Sequence, residues 1–479
     1  MRLRPAPPVG PGARPTRLRC GRVFGIVSQM QRRQFLGSLS AAAAVPALRG
    51  QGGRPPNVLL ILFDKCRTDA IGAHGGQGVS TPHLDALARE GTLFTHAYTP
   101  QALCGPARAS MLTGKYPHQH GLRRNVYPVS RGASNSTYRD PIPDPFRDPR
   151  FDLWDNFVFY LNNGGYATGC VGKWHLGPGN PGFFDYFKGF NSLLRHWVGA
   201  PHQSRYRPDV HTDDAIRFIE QNARQPWFLY QSYYAPHEPL DPPRDFAAKF
   251  AGREHADYHA TVSHLDHCVG RTIAALRRLS ILDDTLVIFT ADHGRTWMDR
   301  PGSAEGIALP YEEVSCVPMI VRYPRLFPAR RWGAGVTTAD IMPTVLEATG
   351  VTHEQGPPSF GLSPAVQARS LAAEVRGGDD SWRRPVILQN IPQRGIDGSY
   401  FDERAIRTER HKLILRKFDV RPELRPGEMY DLAQDPGETR NLYRAGSLEV
   451  RSLAGQLAEW GRANGDALSV ELGEFAARG

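Results

Sequence analysis

Three residues with metal-ligating side chains follow two of the most apolar segments of the sequence. Asp64 comes directly after the run at 57–63, and Asp292 and His293 follow the run at 286–290. Two carboxylates and an imidazole suit a divalent cation such as calcium. An aspartate at the end of a strand also commonly caps the next helix, so each residue alone has a structural alternative. Together the three predict a divalent-metal site.

A cysteine in an unusually stiff setting is the second candidate for chemistry. Cys104 precedes a Gly-Pro pair, Arg108 follows four residues later, and a short apolar helix is predicted behind it at 109–114. A helix N-terminus favours an anion and lowers the pKa of a thiol, so a catalytic thiolate is one interpretation. The other five cysteines form no Cys-x-x-Cys pair or zinc spacing and are predicted to be small buried hydrophobes, apart from Cys20 in the leader.

The elements that would position these residues alternate along the chain. Predicted strands lie at 57–63, 166–171, 227–230 and 286–290, and predicted helices at 81–91, 155–163, 211–222 and 258–279. This alternation predicts a mostly parallel sheet covered on both faces, with ligands bound at the carboxyl ends of its strands. Lys173 and His175 follow the second strand and His237 follows the third, so they join the same edge.

The remaining body is divided by composition. Segments 126–150 and 355–385 are rich in Pro, Gly, Arg and Asp and are predicted to be loops, the second of them a domain boundary. We therefore expect a catalytic domain at 55–370 and a smaller α+β domain at 385–475. The latter shows strand-like segments near 385–390, 404–408 and 411–416 and one closing helix from Ser447 to Trp460.

The net charge of +10 comes entirely from the start of the chain. Residues 1–54 hold ten arginines and neither lysine nor acidic residues, and the remainder carries 48 charges of each sign. Nucleic-acid binding is therefore not expected. Residues 1–29 are interpreted as a disordered or untranslated extension. Residues 30–50, with Arg32-Arg33 before a short apolar run, predict a twin-arginine signal for export to the periplasm or exterior, and no permanent membrane span is expected.

One family combines these features. Cys104, Pro106 and Arg108, followed by the run Leu112 to Pro117, resemble the signature of type I sulfatases, in which that cysteine is oxidised to Cα-formylglycine. Further similar segments cover nearly the whole exported body: 57–64, 81–85, 172–177, 236–239, 292–294, 339–344 and 430–438. The resemblance implies an alkaline-phosphatase-like α/β/α sandwich with a large, mostly parallel sheet, plus a smaller C-terminal α+β domain with an antiparallel sheet.

The resemblance also implies a reaction: hydrolysis of a sulfate ester on a small molecule or glycan. The metal, most simply Ca²⁺, would be held by Asp64, residue 104, Asp292 and His293. A hydroxyl of hydrated formylglycine would attack sulfur, and its second hydroxyl would later restore the aldehyde. Arg108 would anchor the formylglycine, Lys173 would offset charge, His237 would protonate the leaving alcohol, and His175 would assist the second step. A formylglycine-generating enzyme would have to act before twin-arginine export.

Two departures from the family pattern keep alternatives open. Lys65 stands where the family usually has a second aspartate, and Ile307 stands where many members have a sulfate-binding lysine. We hypothesise that Lys65 contacts the anionic group of the substrate in place of the missing lysine, with Arg295 and Arg300 as rivals. Asn125 belongs to a loop expected to shape specificity.

Two other functions remain open on the sequence. Relatives with the same nucleophile hydrolyse phosphonate monoesters and phosphodiesters, and some of them lack the second aspartate. A non-catalytic glycan-binding relative is the third interpretation, although such a protein has no need of a modifiable cysteine.

Overall fold

The computed structural model contains one compact unit spanning Ala47–Gly479. The described residues are 53–126, 144–192, 194–199, 204–297, 306–352, 368–394, 400–418 and 427–478. The predicted leader segments 1–29 and 30–50, Arg300, residues 127–143 of the first predicted loop and residues 355–367 of the second lie outside this description. The rest of the second predicted loop contains a helix at Leu371–Gly377, so the loop prediction is wrong there. Among the described residues, no helix combines the length and the apolarity that a bilayer crossing requires.

Fifteen strands occur in the described part of the chain. They are β1 (Asn57–Phe63), β2 (Thr92–Tyr98), β3 (Ala167–Lys173), β4 (Tyr186–Phe190), β5 (Trp197–Val198), β6 (Arg205–Tyr206), β7 (Trp227–Tyr233), β8 (Thr285–Ala291), β9 (Cys316–Arg322), β10 (Arg330–Trp332), β11 (Val336–Thr337), β12 (Val386–Arg394), β13 (Tyr400–Arg407), β14 (His411–Phe418) and β15 (Gly427–Asp431).

Helices connect the strands. They are α1 (Pro82–Glu90), α2 (Cys104–Thr113), α3 (Pro117–His120), α4 (Phe157–Asn163), α5 (Arg207–Asn222), α6 (Arg244–Phe250), α7 (Ala256–Arg278), α8 (Glu312–Ser315), α9 (Ile341–Thr349), α10 (Leu371–Gly377), α11 (Leu448–Asn464) and α12 (Ala467–Arg478). Three short 3₁₀ turns lie at 68–70, 72–74 and 338–340.

The large sheet is built around β1, whose seven side chains are all buried. Its strand order is β10-β2-β9-β8-β1-β7-β3-β4, with β11 paired to β2. Only β9 runs antiparallel to its neighbours in this path, so the sheet is mostly parallel, as the sequence predicted. A continuous Val/Leu/Ile/Phe run suits a strand buried on both faces, and this explains why β1 occupies the centre.

Two elements are longer than the sequence predicted. Strand β7 continues through Gln231 and Ser232, which are polar but buried. The Gln231 amide donates to Tyr233 Oη and Thr272 Oγ1, so burial leaves that amide nitrogen hydrogen-bonded. Helix α5 begins four residues earlier than predicted because Pro208 lies in its first turn, where proline is compatible with a helix.

The C-terminal region contains the antiparallel sheet β12-β13-β14-β15. The expectation of a single helix in this region is wrong. Helix α11 ends at Asn464 with Gly465 in the left-handed region, and α12 follows at Ala467. Asp466 between them accepts from Arg404 Nε at 2.6 Å and from Ser469 Oγ at 2.6 Å, which fixes the turn. The predicted domain limits 55–370 and 385–475 stay predictions.

Lys412 on β14 holds this sheet against the segment before α8, which gives a first prediction. Its ammonium contacts Glu312 at 2.7 Å, Glu438 at 2.8 Å and the Pro310 carbonyl at 2.8 Å, all in the interior. Lys412→Met would remove the ammonium that lies between two carboxylates, although Glu312 would keep Arg407 Nε at 3.4 Å. We therefore expect a loss of about 3–5 kcal/mol in the free energy of unfolding by urea.

A matched control lies on the same strand. Lys417 pairs with Glu471, and both side chains are at least one-third exposed. Lys417→Met should cost less than about 1 kcal/mol. Equal losses for the two variants would show that the buried carboxylates are not what Lys412 stabilises.

Candidate active site

The two predicted metal-ligating aspartates lie side by side at the edge of the sheet. Strands β1 and β8 are parallel neighbours with Phe63 opposite Ala291, so the residues that follow them emerge together. The Asp292 N–H donates to the Phe63 carbonyl at 3.3 Å. The position of Asp64 next to Asp292 is therefore a direct consequence of strand register.

Cys104 and His293 complete the cluster. Cys104 is the first residue of α2, and its Sγ lies 3.2 Å from His293 Nε2 and 4.0 Å from Asp64 Oδ1. The ligand atoms of Asp64, Cys104, Asp292 and His293 all lie within 4.8 Å of one another, and all four residues are buried. Each of the four residues predicted as metal ligands is thus present in one cluster.

The imidazole of His293 has a defined orientation. Its Nδ1 lies 2.8 Å from the Gly294 carbonyl, which can only accept, so Nδ1 carries the proton and Nε2 faces the cluster. Burial lowers the pKa of His293, but the negative groups Asp292, Cys104 and Asp64 outweigh it and raise the pKa to about 9. The cluster therefore attracts positive charge, whether a proton or a metal ion.

Arg108, one turn along α2, holds the two carboxylates. Its Nη2 donates to Asp64 Oδ2 at 3.1 Å and to Asp292 Oδ2 at 2.8 Å, and its Nε donates to the latter oxygen at 3.0 Å. Its Nη1 donates to the Lys173 carbonyl, Tyr230 Oη and Ser232 Oγ. The side chain is fully buried.

The two oxygens of each carboxylate therefore have different partners. The Oδ2 atoms of Asp64 and Asp292 take the guanidinium of Arg108. Asp64 Oδ1 is the oxygen that faces Cys104, and Asp292 Oδ1 accepts from the backbone N–H groups of Lys65 and His293 at 3.2 and 3.0 Å. The Oδ1 atoms thus point toward the cluster centre, where a cation would bind.

Lys173 ends β3 and places a second cation against Asp64. Its ammonium forms an ion pair with Asp64 Oδ2 and lies 5.1 Å from the centre of the Tyr234 ring. Burial raises the pKa of Asp64, but Lys173 and the other cations outweigh it and hold that pKa well below its usual range. Gly172 lets β3 approach β7 closely, since a Cβ there would lie 1.8 Å from the Ser232 carbonyl oxygen at a φ of +95°.

The two predicted histidines lie around the same group of charges. His175 is buried with a left-handed φ of 56°, and burial together with Lys173 lowers its pKa well below the usual value. His237 follows β7 and stacks on Tyr234 with ring centres 4.6 Å apart. Burial lowers the pKa of His237 to about 4, although Asp64 acts in the opposite direction.

Glu238, which the sequence did not single out as a site residue, pairs with both predicted substrate contacts, Lys65 and Arg295. The Lys65 ammonium lies 3.0 Å from Glu238 Oε2, and the Arg295 guanidinium pairs with the other oxygen of that carboxylate. Burial raises the pKa of Glu238, but Lys65 and Arg295 outweigh it and lower the pKa to about 2. The acidic residue between two prolines, directly after His237, was the available signal.

Two further positions singled out in the sequence lie near the start of α2. The Asn125 Oδ1 accepts from the Gly105 N–H at 2.8 Å, which supports the start of α2 beside Cys104. Ile307 is buried in a small cluster with Leu103 and Ala308, where the family pattern often has a lysine. Arg300, the other rival to Lys65, lies outside the described residues.

The ion pair between Lys65 and Glu238 gives a second prediction. Lys65→Met and Glu238→Gln should each lower kcat/KM for an aryl sulfate about tenfold. Each substitution breaks the ion pair between these two residues, so the remaining side chain can move beside His237. The double variant should be no worse than either single variant. Lys188→Met on the edge strand β4, where the side chain is exposed, is the control. Unchanged constants for Lys65→Met would show that the ammonium has no part in the site.

Comparison with known proteins agrees with this geometry. The sulfatase family model matches residues 56–351, and a model of the C-terminal part of N-sulphoglucosamine sulphohydrolase matches residues 308–460. Human N-sulphoglucosamine sulphohydrolase is 28% identical over 504 aligned positions, which cover 85% of this chain and 90% of that protein. An arylsulfatase of Clostridium perfringens is 25% identical over 485 positions, covering 83% and 92%.

Among solved structures, a phosphonate monoester hydrolase of Agrobacterium radiobacter has a TM-score of 0.64 at 22% identity, covering 85% of this chain and 96% of that chain. This likeness concerns the fold. The chain belongs to the sulfatase family. The predicted family, the alkaline-phosphatase-like α/β fold and the enzyme class of sulfuric ester hydrolase are thereby confirmed.

Proposed function

We propose that this protein hydrolyses sulfate esters carried by a carbohydrate, using a formylglycine made from Cys104 and a divalent metal ion. The observation that carries the proposal is the buried convergence of Asp64, Cys104, Asp292 and His293 at the start of α2. Membership of the sulfatase family supports the reaction class. The names of relatives such as N-sulphoglucosamine sulphohydrolase and N-acetylgalactosamine-6-sulfatase support a carbohydrate substrate.

The donors of this cluster fit a hard divalent cation, for which we propose Ca²⁺. Asp64 Oδ1 and His293 Nε2 both face Cys104, and Arg108 occupies the far oxygens of the two carboxylates. An oxygen-bearing residue at 104 would add to the oxygen ligands that calcium prefers. When bound, such an ion lowers the pKa of an adjacent hydroxyl and polarises sulfate oxygens.

The chain's own side chains divide the remaining work. The formylglycine supplies the nucleophilic hydroxyl. Lys173, buried and positively charged, would bind a sulfate oxygen and offset its charge, while Arg108 keeps both carboxylates oriented. His237 would protonate the leaving alcohol, and His175 would accept a proton when sulfate is released. Arg108, Lys173 and His175 are buried, which limits the contact of these three groups with bulk water.

The role of His237 gives a third prediction, on pH. The pKa of His237 is lowered to about 4, so the proton donor is mostly neutral at pH 7. Because kcat/KM reports the free enzyme, it should fall about tenfold for each pH unit above this pKa. In the complex the anionic ester should raise the pKa of His237, so kcat should fall at higher pH than kcat/KM.

His237→Asn should remove this pH dependence, whereas His83→Asn, at an exposed residue of α1, should retain it. A kcat/KM that rises from pH 5 to 7 in the parent enzyme would exclude His237 as the acid.

A cavity beside His237 supports the carbohydrate assignment. It has a volume of about 500 Å³, and its lining includes Arg195, Trp197, Tyr234 and Glu238. The Tyr234 ring stacks on His196 and His237, so Trp197 is the aromatic side chain we propose for contact with a sugar ring, with Arg195 and Glu238 as polar partners for its hydroxyls. We propose that the sugar binds in this cavity, with its sulfate group directed toward residue 104.

The first test is chemical. Protein co-expressed with a formylglycine-generating enzyme is digested with trypsin, and the mass of the peptide Glu90–Arg108 is measured. An aldehyde at residue 104 supports the proposal. An intact thiol, with the maturation enzyme active on a control peptide, contradicts the formylglycine mechanism.

The second test separates sulfate from phosphonate. Phosphonate monoester or phosphodiester hydrolysis is the alternative that Lys65 favours. This residue replaces the second aspartate of the family pattern, so four candidate metal ligands are present instead of five. Turnover of an aryl sulfate is therefore compared with that of the matching aryl phosphonate monoester. Preference for the sulfate supports our proposal, and preference for the phosphonate replaces it. Saturable glycan binding without turnover would indicate a non-catalytic relative.

We also propose that maturation precedes export. A twin-arginine signal at 30–50 would carry the folded protein, already modified at Cys104 by a cytoplasmic enzyme, to the periplasm or exterior. Cys104 in protein recovered from the natural exported fraction should be converted. An unmodified thiol there would contradict this order.

A further inference from the structure

A second group of metal-ligating side chains lies between two helices rather than at strand ends. His264 and Cys268 are four residues apart on α7, and Asp209 is the third residue of α5. Residues four apart face the same side of a helix, so the imidazole and the thiol point together toward α5. The ligand atoms of all three residues lie within 4.8 Å of one another.

The distances within this group approach those of a tetrahedral zinc site. His264 Nε2 is 3.3 Å from Asp209 Oδ2, Cys268 Sγ is 3.7 Å from Asp209 Oδ1, and Cys268 Sγ is 3.8 Å from His264 Nδ1. Zinc bonds of about 2.3 Å to sulfur and about 2.0–2.1 Å to nitrogen and oxygen place tetrahedral ligands about 3.3–3.6 Å apart. The two ring nitrogens of His264 face different partners, so one of them must turn inward on binding.

We propose that Asp209, His264 and Cys268 bind Zn²⁺, with water as the fourth ligand. A thiolate and an imidazole select zinc over calcium or magnesium, which prefer oxygen ligands throughout. Thiolate and carboxylate together balance the charge of the ion, and the thiol proton passes to solvent on binding. The ion would join α5 to α7, two helices that pack against each other.

Arg271 on α7 is the group that competes for Asp209. Its Nη1 lies 3.3 Å from Asp209 Oδ1, but its Nη2 lies 2.5 Å from Asp213 Oδ1. The guanidinium therefore keeps a carboxylate partner when Asp209 turns to a metal. Asp213 also pairs with Arg205 and stays within this network of charges.

The walls of the group suit a bound ion. His264 and Cys268 are buried, whereas the Asp209 side chain is 29% exposed and provides the route of entry. Tyr206 and Phe246 each contact the His264 ring edge-to-face with centres 4.9 Å apart. Burial raises the pKa of the Cys268 thiol.

The test uses Co²⁺ as a spectroscopic substitute and the full chain with Cys104→Ala, which removes the active-site thiol. Addition of Co²⁺ should produce the near-ultraviolet charge-transfer band of a cobalt–thiolate bond, at one equivalent per chain. Addition of Zn²⁺ should abolish the band. A further Cys268→Ala substitution should remove it, whereas Cys316→Ala, at another buried cysteine, should leave it unchanged.

A second variant keeps the proposal testable if Cys268→Ala fails to fold. Asp209→Asn, at the partly exposed ligand, should weaken Zn²⁺ binding at least about tenfold while circular dichroism stays native. Absence of the band in the Cys104→Ala protein, or its persistence after Cys268→Ala, would overturn the proposal. Neither outcome bears on sulfate hydrolysis, since the readout is metal binding in a protein that lacks Cys104.

Discussion

We expect Cys104→Ala to abolish sulfatase turnover, with a loss in kcat on the order of 10⁴-fold or more. The residue is the first of α2 and its Sγ lies 3.2 Å from His293 Nε2, so no other described nucleophile occupies the centre of the metal-ligating cluster. Removal of the nucleophile leaves Lys173, His237 and a bound metal ion able to bind and polarise the ester, but no group to attack its sulfur. The measurement is steady-state hydrolysis of an aryl sulfate by enzyme matured in cells.

The control for this substitution is another buried cysteine. Cys170 lies within β3, and burial raises its pKa above the usual value, so it is an inert thiol. Cys170→Ala should keep kcat within about threefold and reduce only the free energy of unfolding. Residual turnover above one per cent in Cys104→Ala would place the nucleophile elsewhere.

The sequence predicted the site as far as strand ends determine it. Asp64, Asp292 and His293 follow apolar strands that are adjacent and parallel, so their meeting follows from the sheet alone. The positions of Cys104 and Arg108 in the site could be predicted only from the sulfatase signature, because no local pattern shows that α2 begins beside Asp64 at the end of β1. The strand order itself was not predicted, since β9 enters the sheet antiparallel between β2 and β8.

Interactions between side chains distant in sequence could not be predicted. The pairing of the Lys65 ammonium with Glu238, 173 residues away, is one example, and the predicted contact of Lys65 with the substrate stays a prediction. The Oδ2 atoms of Asp64 and Asp292 bind Arg108, and Asp64 Oδ2 also binds Lys173, whereas the Oδ1 atoms do not. This difference depends on the positions of Arg108 on α2 and Lys173 at the end of β3. Charge pairing of this kind depends on angles and distances that a pattern of residue types does not contain.

Arg108→Lys should impair both activity and stability, because the guanidinium joins the Asp64 and Asp292 carboxylates to two neighbouring strands, β3 and β7. Arg108 donates to Asp64 and Asp292 and also reaches Lys173, Tyr230 and Ser232. A lysine ammonium has three donors and no planar fork, so it cannot satisfy these acceptors together. We expect kcat/KM to fall on the order of 10²–10³-fold and the free energy of unfolding to fall by about 3 kcal/mol.

Arg322→Lys is the matched control for this last prediction. Arg322 is also buried and also has three acceptors, Glu90, the Leu282 carbonyl and Asp283, but it lies opposite Val287 near the amino end of β8, away from the active-site edge. Its replacement should lower stability while kcat/KM changes less than about twofold. If Arg108→Lys lowered stability but left kcat/KM intact, orientation of the two carboxylates would not limit catalysis. If both arginine variants lost activity equally, the loss would reflect general destabilisation rather than the carboxylate geometry that Arg108 maintains.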